Sequence, residues 1–402
     1  ANGVFDQIKL FEGELSASDI VALRNETPSC APPPPHHLEL TMDSSTGLTC
    51  QPATVTVRAC ADAACSSGYT GGVTGTVTYT GGSTAAPSAA FSIAPGSDST
   101  TVPVHVVAPG ATTLGLSGLS VSPTAGATPY CGLGATTTAG GSCVFTADDA
   151  GLLFNVSDHV AGDSQAITVS AVRKADNSLA CTPAFASTSK SVNFKCSYSN
   201  PTTGFVPAVV AGAALNAGNN SAAACDGTGR SVSLAFNASG VASTTVTYAD
   251  AGLLGLTATY TGSGDDAGLT MSGSDTFTAA PASFNFSGVT AGPIKAGATF
   301  GATVTAVNRS GVKTSNFGRE TSPASATLSF TKRQPTGVNS QSGSFTGSLG
   351  AFSNGVASTS NLVWSEVGNA DLSATSSNYL GSGLSVSGST GSGPAGAVGP
   401  FV

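Results

Sequence analysis

From His36 onward, apolar residues recur at every second position in short runs. Examples are Val55/Val57/Ala59, Val73/Val77/Tyr79 (with Gly75 between them), Val102/Val104/Val106, Ile167/Val169/Ala171 and Val192/Phe194/Cys196. Later runs are Val232/Leu234/Phe236, Phe300/Ala302/Val304/Ala306 and Ala326/Leu328/Phe330. A two-residue period puts these side chains on one strand face and the intervening Thr and Ser on the other. Gly, Ser and Pro separate the runs, and no helical pattern of useful length interrupts them. The expected fold class is all-β, a tandem array of immunoglobulin-like β-sandwiches rather than βαβ units. Aromatic residues are sparse and Ala is common, so each core is expected to be thin and to lean on β-branched packing and disulfides.

The first 30 residues differ. FDQIKLFEG alternates loosely as a strand over residues 4–11, and LSASDIVALRN predicts a short helix. Ser16 or Ser18 is its N-cap, with Ile20 and Leu23 on one face. One strand and one short helix cannot enclose a core, so the chain is expected to begin inside a domain. Pro32 to Pro35 follow as a stiff polyproline spacer, residues 31–35.

Internal repetition then suggests boundaries. Ser239-Gly240-Val241-Ala242-Ser243-Thr244 leads through VTYADAGLLGLTATYTGSG, and Asn354-Gly355-Val356-Ala357-Ser358-Thr359 through NLVWSEVGNADLSATSSNYLGSG. CVFTADDAGLLFNVSDHVAG, from Cys143, is a partial third copy. Each reads as a closing hairpin whose acidic-Gly turn (Asp149, Asp250) joins the last two strands of a domain. Working backwards predicts sandwiches at 36–122, 123–180, 181–282 and 283–391. The second is short enough to be fused with the first, and residues 392–402 are expected to be a Gly-rich linker.

Composition narrows the functional classes. Charged residues are only 9% of the 402, against roughly 25% in an ordinary soluble domain. The net charge is −8 and the 14 Lys and Arg are scattered singly, which argues against nucleic-acid binding. No apolar stretch approaches the ~20 residues of a membrane helix.

Nine cysteines change the picture more. There is no C-x-x-C, and the four His are not placed to complete a zinc site. A disulfide framework formed in an oxidising compartment is the better reading. The expected pairs are Cys60–Cys65, Cys131–Cys143, Cys196–Cys225 and Cys30–Cys50. Cys181 is left over, either free or bonded outside this segment.

Other chemistry is weak. His36-His37 have only Glu39 nearby in sequence and are expected to be surface or packing residues, and His105 and His159 structural. No G-x-S-x-G elbow occurs in a strand–turn–helix context, so no hydrolytic triad is predicted, and no catalytic, cofactor or metal residues are assigned. Asp148-Asp149 and Asp265-Asp266 resemble calcium or glycosidase carboxylate pairs, but both precede Ala-Gly and suit turns better. Trp364, with Tyr248 at the matching place in the repeat, is read as a core aromatic in preference to an exposed sugar-stacking ring. The N-x-S/T matches at Asn155, Asn219, Asn237, Asn285 and Asn308 are those expected by chance in so Ser/Thr-rich a chain.

A resemblance can now be stated. His36-His37-Leu38-Glu39-Leu40, GLTCQP from Gly47, VTVRACADAAC from Val55 and FTADDAGLLFNVSDHVAG from Phe145 are its first carriers. ITVSAVRK from Ile167, CTPAF from Cys181 and NFKCSYSNPTTG from Asn193 follow in order. This stretch, roughly residues 36–280, resembles the β-rich region of MshQ-like proteins, which are associated with mannose-sensitive haemagglutinin type IV pili. The segment VFDQIKLFEGELSASDIVALRN looks like the end of the LamG-type domain that often precedes that region. The resemblance implies an exported bacterial protein linked to pilus assembly or adhesion, and it supplies no catalytic residues.

Three functions compete. The first is a non-enzymatic structural or adhesive stalk working with pilus or other surface-filament components. A filament subunit is the second, self-associating as the strand at 4–11 completes a neighbour's sheet. Third is a carbohydrate-binding module for a cell-surface glycan. The expected location is extracellular or the bacterial cell surface.

Overall fold

The computed structural model describes residues 13–25, 33–81, 88–134, 136–138, 140–337, 340–391 and 397–402. It is nearly all β, and its six sheets pair into three sandwiches. The first sandwich has one sheet ordered Ser99–Val104, Ala53–Cys60, His37–Met42, Tyr130–Leu133, Thr136–Thr138. Its other sheet is ordered Thr46–Leu48, Val144–Asp148, Gly110–Ser117, Val73–Gly81, Ala89–Ile93. The alternating residues of the sequence pattern do face inward, with Val55, Val57, Ala59, Val102, Val104 and Val106 all buried.

The second sandwich pairs Ala150–Leu153, Ser164–Lys174, Val241–Tyr248, Ala208–Val210 and Ala213–Ala214, with Cys181–Pro183 beside Ser164–Lys174. Facing it are His159–Val160, Thr270–Ala280, Gly252–Thr261, Thr188–Asn200 and Arg230–Phe236. The third has Ser283–Ser287, Thr299–Val307, Val356–Trp364 and Phe345–Thr346 over a sheet of Thr327–Gln334, Gly368–Ser376 and Val386–Ser389. Val398–Phe401 also pairs with Gly368–Ser376.

Four expectations change. Residues 123–180 do not form a sandwich. Cys131, Phe145 and Ala147 complete the first core, while Leu152, Val156, Ile167 and Val169 open the second. The reason is pairing: Tyr130–Leu133 lies parallel to His37–Met42 and Val144–Asp148 antiparallel to Gly110–Ser117, both within the first sandwich. Accordingly the second sandwich starts at Ala150 rather than at residue 181.

Nor are the repeated units hairpins. Val241–Tyr248 and Gly252–Thr261 lie in opposite sheets, as do Val356–Trp364 and Gly368–Ser376. The acidic turn is an arch that carries the chain across the core, and Gly252 (φ 141°) and Gly368 (φ 125°) take the positive φ at its exit. In the partial copy the same arch leaves one sandwich and enters the next, with only Asp149 between Val144–Asp148 and Ala150–Leu153.

The end of the chain is not wholly linker. Val398 and Phe401 are buried in the third core, Phe401 packing edge-on against Trp364 at 5.0 Å. At the other end, the helix is Ala17–Asn25. The Ser16 hydroxyl accepts the Asp19 N–H and donates to the Asp19 carboxylate, a reciprocal cap. Ile20 and Val21 are exposed. The strand expected at 4–11 lies outside the described residues.

Opposite ends of the second sandwich carry the other two. Strand Ser164–Lys174 begins beside Asp163, which pairs with Arg309 of the third sandwich. It ends at Lys174, whose Nζ donates to the Val107 carbonyl of the first at 2.8 Å. The ten steps of ~3.3 Å along this eleven-residue strand separate its ends by about 33 Å.

Candidate functional site

The junctions between sandwiches hold the chemistry that the chain offers. At the first junction, the loop after Thr46–Leu48 reaches the second sandwich. The Thr49 N–H donates to the Asp148 carbonyl at 2.9 Å and its hydroxyl to the Asp149 carboxylate at 2.5 Å. Its carbonyl lies 3.0 Å from His105 Nε2. Cys50 is bonded to Cys181, with Cα atoms 4.9 Å apart. Cys50 is therefore not the partner of Cys30, which lies outside the described residues, and Cys181 is not left over. The folded register explains this, because Cys181 pairs opposite Lys174 at the strand end that meets the first sandwich.

Close packing completes that junction. A Cβ on Gly151 would stand 2.7 Å from Leu48 Cδ2 of the first sandwich, and just inside the second a Cβ on Gly273 would meet the Leu152 carbonyl oxygen at 1.8 Å. Beside these contacts opens a cleft of about 360 Å³, lined among others by Asp43, Leu48, Gln51, Asp148, Phe154 and Ser274. Among its described lining residues are two carboxylates and no cation or nucleophile–base pair.

Of the other expected pairs, Cys60–Cys65, Cys131–Cys143 and Cys196–Cys225 are joined, each within one sandwich. Asp62 folds the short Cys60–Cys65 loop by accepting from the backbone of Ala64, Ser66 and Ser67 and from both Ser hydroxyls. Those bonds hold its carboxyl well below the usual carboxylate range.

Strand pairing sets His37 opposite Cys60, which sequence spacing did not reveal. His37, Glu39, Cys60 and Cys65 bring potential ligand atoms within 4.8 Å of one another. With the two sulfurs bonded to each other, they are not thiolate ligands. His37 is buried, its pKa lowered mainly by desolvation, and stacks on Tyr130 at 3.9 Å. His159 stacks on Phe277 at 5.1 Å.

The second junction is polar and carries no disulfide. The loop after Thr299–Val307 leans on the second sandwich: Asn308 Nδ2 donates to the Ala249 carbonyl (2.8 Å) and Arg309 N–H to the Ala161 carbonyl (2.9 Å). Arg309 also grips Asp163 through two bonds of 2.7 and 2.9 Å, which lowers the Asp163 pKa. Asn316 donates its backbone N–H to Asp250 and its side-chain amide to the Tyr248 hydroxyl, both at 3.0 Å. Arg319 donates to Asn316 Oδ1 and Thr203 Oγ1 and lies 4.5 Å from the Phe205 ring centroid.

Two carboxyls are buried there. Glu320 is 3% exposed and accepts from Tyr379 Oη (2.6 Å) and from the N–H groups of Gly318 (2.8 Å) and Ala324 (3.0 Å). Asp250 is 4% exposed, and burial raises its pKa. Ala251 and Ala280 of the second sandwich pack in one cluster with Phe284, Phe317, Phe352 and Tyr379 of the third.

The remaining predicted residues are placed individually. Asp148 faces the cleft, and Asp266 pairs with Lys190 and accepts from the Tyr260 hydroxyl. Asp265 shares a short 3-10 turn with it. Trp364 is buried and donates Nε1–H to the Ser342 carbonyl at 3.0 Å, and Tyr248 is likewise buried. Asn155, Asn219, Asn237 and Asn285 are exposed, whereas Asn308 is buried at the second junction. Among the described residues no helix is long and apolar enough to cross a membrane.

Residues 36–123 match a family described as a domain of unknown function (DUF8613). Residues 130–274 match a domain of unknown function (DUF6701), first Ig-like domain. No curated protein matches the chain in sequence. Solved structures similar to it include FdeC, an Escherichia coli adhesin, at 17% identity and a TM-score of 0.27, covering 86% of this chain and 94% of that one. Invasin, a bacterial integrin-binding protein, shows 14% identity and a TM-score of 0.25, with 85% and 56% covered. A Salmonella alpha-2-macroglobulin mutant shows 13% and 0.23, with 91% and 23% covered.

Proposed function

We propose that this chain is a non-enzymatic structural segment of an exported bacterial surface adhesin, a stiff stalk that holds a binding end away from the cell. The observation that carries the reading is the pair of junctions at opposite ends of the second sandwich. One residue separates the first two sandwiches, and two separate Thr270–Ala280 from Ser283–Ser287. Each junction is fixed by several bonds, so a swivelling linker has no room. Disulfides suit an oxidising exterior, and a surface rich in Ser, Thr and backbone hydrates with little charge. The resemblance over residues 36–280 supports a type IV pilus-associated role of the MshQ-like kind. Pilus or other surface-filament components are then the partners.

Small-angle scattering across a concentration series tests this. Three sandwiches whose longest strands have 9, 13 and 9 residues, laid end to end, predict a monomer about 100 Å or more long. A compact particle would overturn the stalk, and rods that grow with concentration would favour the filament subunit instead.

A further inference from the structure

The four disulfides are not equivalent once the chain is considered under tension. Cys50–Cys181 spans 131 residues and two sandwiches, closing residues 51–180 into a covalent loop. Cys60–Cys65 and Cys131–Cys143 lie inside that loop, with separations of 5 and 12 residues. Cys196–Cys225 lies outside it, with a separation of 29, and no cysteine follows Cys225.

We infer that Cys50–Cys181 is a mechanical bypass: tension passing along the chain crosses from the first sandwich to the second through this bond and does not extend residues 51–180. The inference deepens the stalk reading, on which its biological purpose rests, although the mechanics follow from connectivity alone. Pulling at the two ends draws on residues up to Cys50 and then on residues from Cys181 onward. The closed loop holds strands Ala53–Cys60 through Val144–Asp148 of the first sandwich and Ala150–Leu153 through Ser164–Lys174 of the second. Those strands can lose their pairing under load but cannot lengthen the molecule.

The bond is reinforced where force would reach it. Thr49, next to Cys50, is held by Asp148, Asp149 and His105, and Lys174, opposite Cys181, donates to the Asp149 carbonyl at 2.7 Å. The two inner disulfides shorten nothing while the outer bond is intact and become mechanically relevant only after it opens. The third sandwich, without a cysteine, is the fully extensible part of the array.

Single-molecule pulling on the full chain, held at both ends, tests the bypass. At roughly 3.3–3.6 Å per residue the outer bond hides about 430–470 Å of contour. In Cys50→Ser/Cys181→Ser the two inner bonds remain, so the 131 hidden residues less the 5 and 12 still held are released. That is 114 residues, or about 380–410 Å of added contour. An oxidised wild-type chain that already shows this length overturns the bypass, as does a variant that gains none. Should the variant not fold, wild-type chains held extended and exposed to dithiothreitol give the same readout. The dithiol is oxidised to its cyclic disulfide as Cys50 and Cys181 become thiols, and the extension jumps by 114 to 131 residues, according to whether the inner bonds are reduced first, apart from the separate 29-residue step of Cys196–Cys225. Absence of that jump overturns the bypass. A compact particle in scattering would remove the stalk reading while leaving this result intact, so the two failures are distinguishable.

Discussion

At the junction between the first and second sandwiches, one covalent bond ties together parts of the chain 131 residues apart, with a few hydrogen bonds around it. Between the second and third sandwiches the backbone through residues 281–282 is the covalent link and there is no disulfide, because no cysteine follows Cys225. Tyr248, Asp250, Asn316 and Arg319 form a largely buried hydrogen-bonded group across the interface, and Glu320 with Tyr379 forms a second group on the third-sandwich side, over a floor of Ala251, Ala280 and Phe317. The first junction limits the unfolded chain, because a crosslink removes loop-closure entropy wherever the chain wanders. The second acts only in the native state, and each buried polar atom in it stabilises only while its partner is present. A crosslink survives local opening, whereas each hydrogen-bonded group of this kind is lost as a unit.

Removing the outer disulfide is the largest perturbation of this contrast. Cys50→Ser/Cys181→Ser is expected to destabilise the first two sandwiches by roughly 2–5 kcal/mol. Trp364 is the sole tryptophan and sits in the third sandwich, so its fluorescence reports that unit alone. In urea, the circular dichroism transition moves to lower concentration while the Trp364 transition stays in place. A matching shift in Trp364 would show that the two junctions share one cooperative unit and would end the contrast.

The buried polar pair on the third-sandwich side of the second junction is tested by Tyr379→Phe. Glu320 then keeps its two backbone donors but loses the hydroxyl bond of 2.6 Å in a buried setting. A loss of about 1–3 kcal/mol is expected for a buried acceptor left short of a donor. Here the Trp364 transition moves and the first two sandwiches hold. An unchanged Trp364 midpoint would mean that water replaces the hydroxyl and that the pair is more open than its burial indicates.

The two junctions were unequally legible in sequence. Strand positions such as Val55/Val57/Ala59 announce themselves, because an alternating face needs only neighbours in sequence. Pairing does not. The D-A-G turn is visible at Asp149 and Asp250, yet nothing local says whether the next strand returns to its own sheet or crosses to the facing one. Reading it as a hairpin therefore misplaced the first boundary. Cys60–Cys65 was readable because its residues are close in sequence. Cys50–Cys181 was not, because its partners meet only when two sandwiches dock. Asn308, Asn316 and Glu320 look like ordinary loop polar residues; the first two bond to the second sandwich and Glu320 to Tyr379, partners distant in sequence. His37 facing Cys60 is likewise a consequence of strand register.

The smallest expected effect is the most specific to the network, and it concerns pH. Burial raises the Asp250 pKa above its ordinary value, so the folded chain holds this proton more tightly than the unfolded chain. Stability from that proton is fully present below the unfolded pKa and is lost as pH rises through the folded one. Between those limits, acidification strengthens the second junction, opposite to the effect at Asp163, whose pKa Arg309 lowers. Asp250→Asn keeps an oxygen able to accept the N–H groups of Ala251 and Asn316 while removing the titration. The Trp364 urea midpoint, measured from pH 7 down to pH 4, is therefore expected to rise in wild type relative to the variant as pH falls. The difference between the two curves cancels the contributions of Asp163 and the other carboxyls that both proteins share. Parallel curves would mean that Asp250 titrates alike folded and unfolded, and that the junction is wet enough for a carboxylate to sit in it without cost. A converging pair would identify Asp250 as the group through which acid tightens the disulfide-free junction while leaving the disulfide-tied one unchanged.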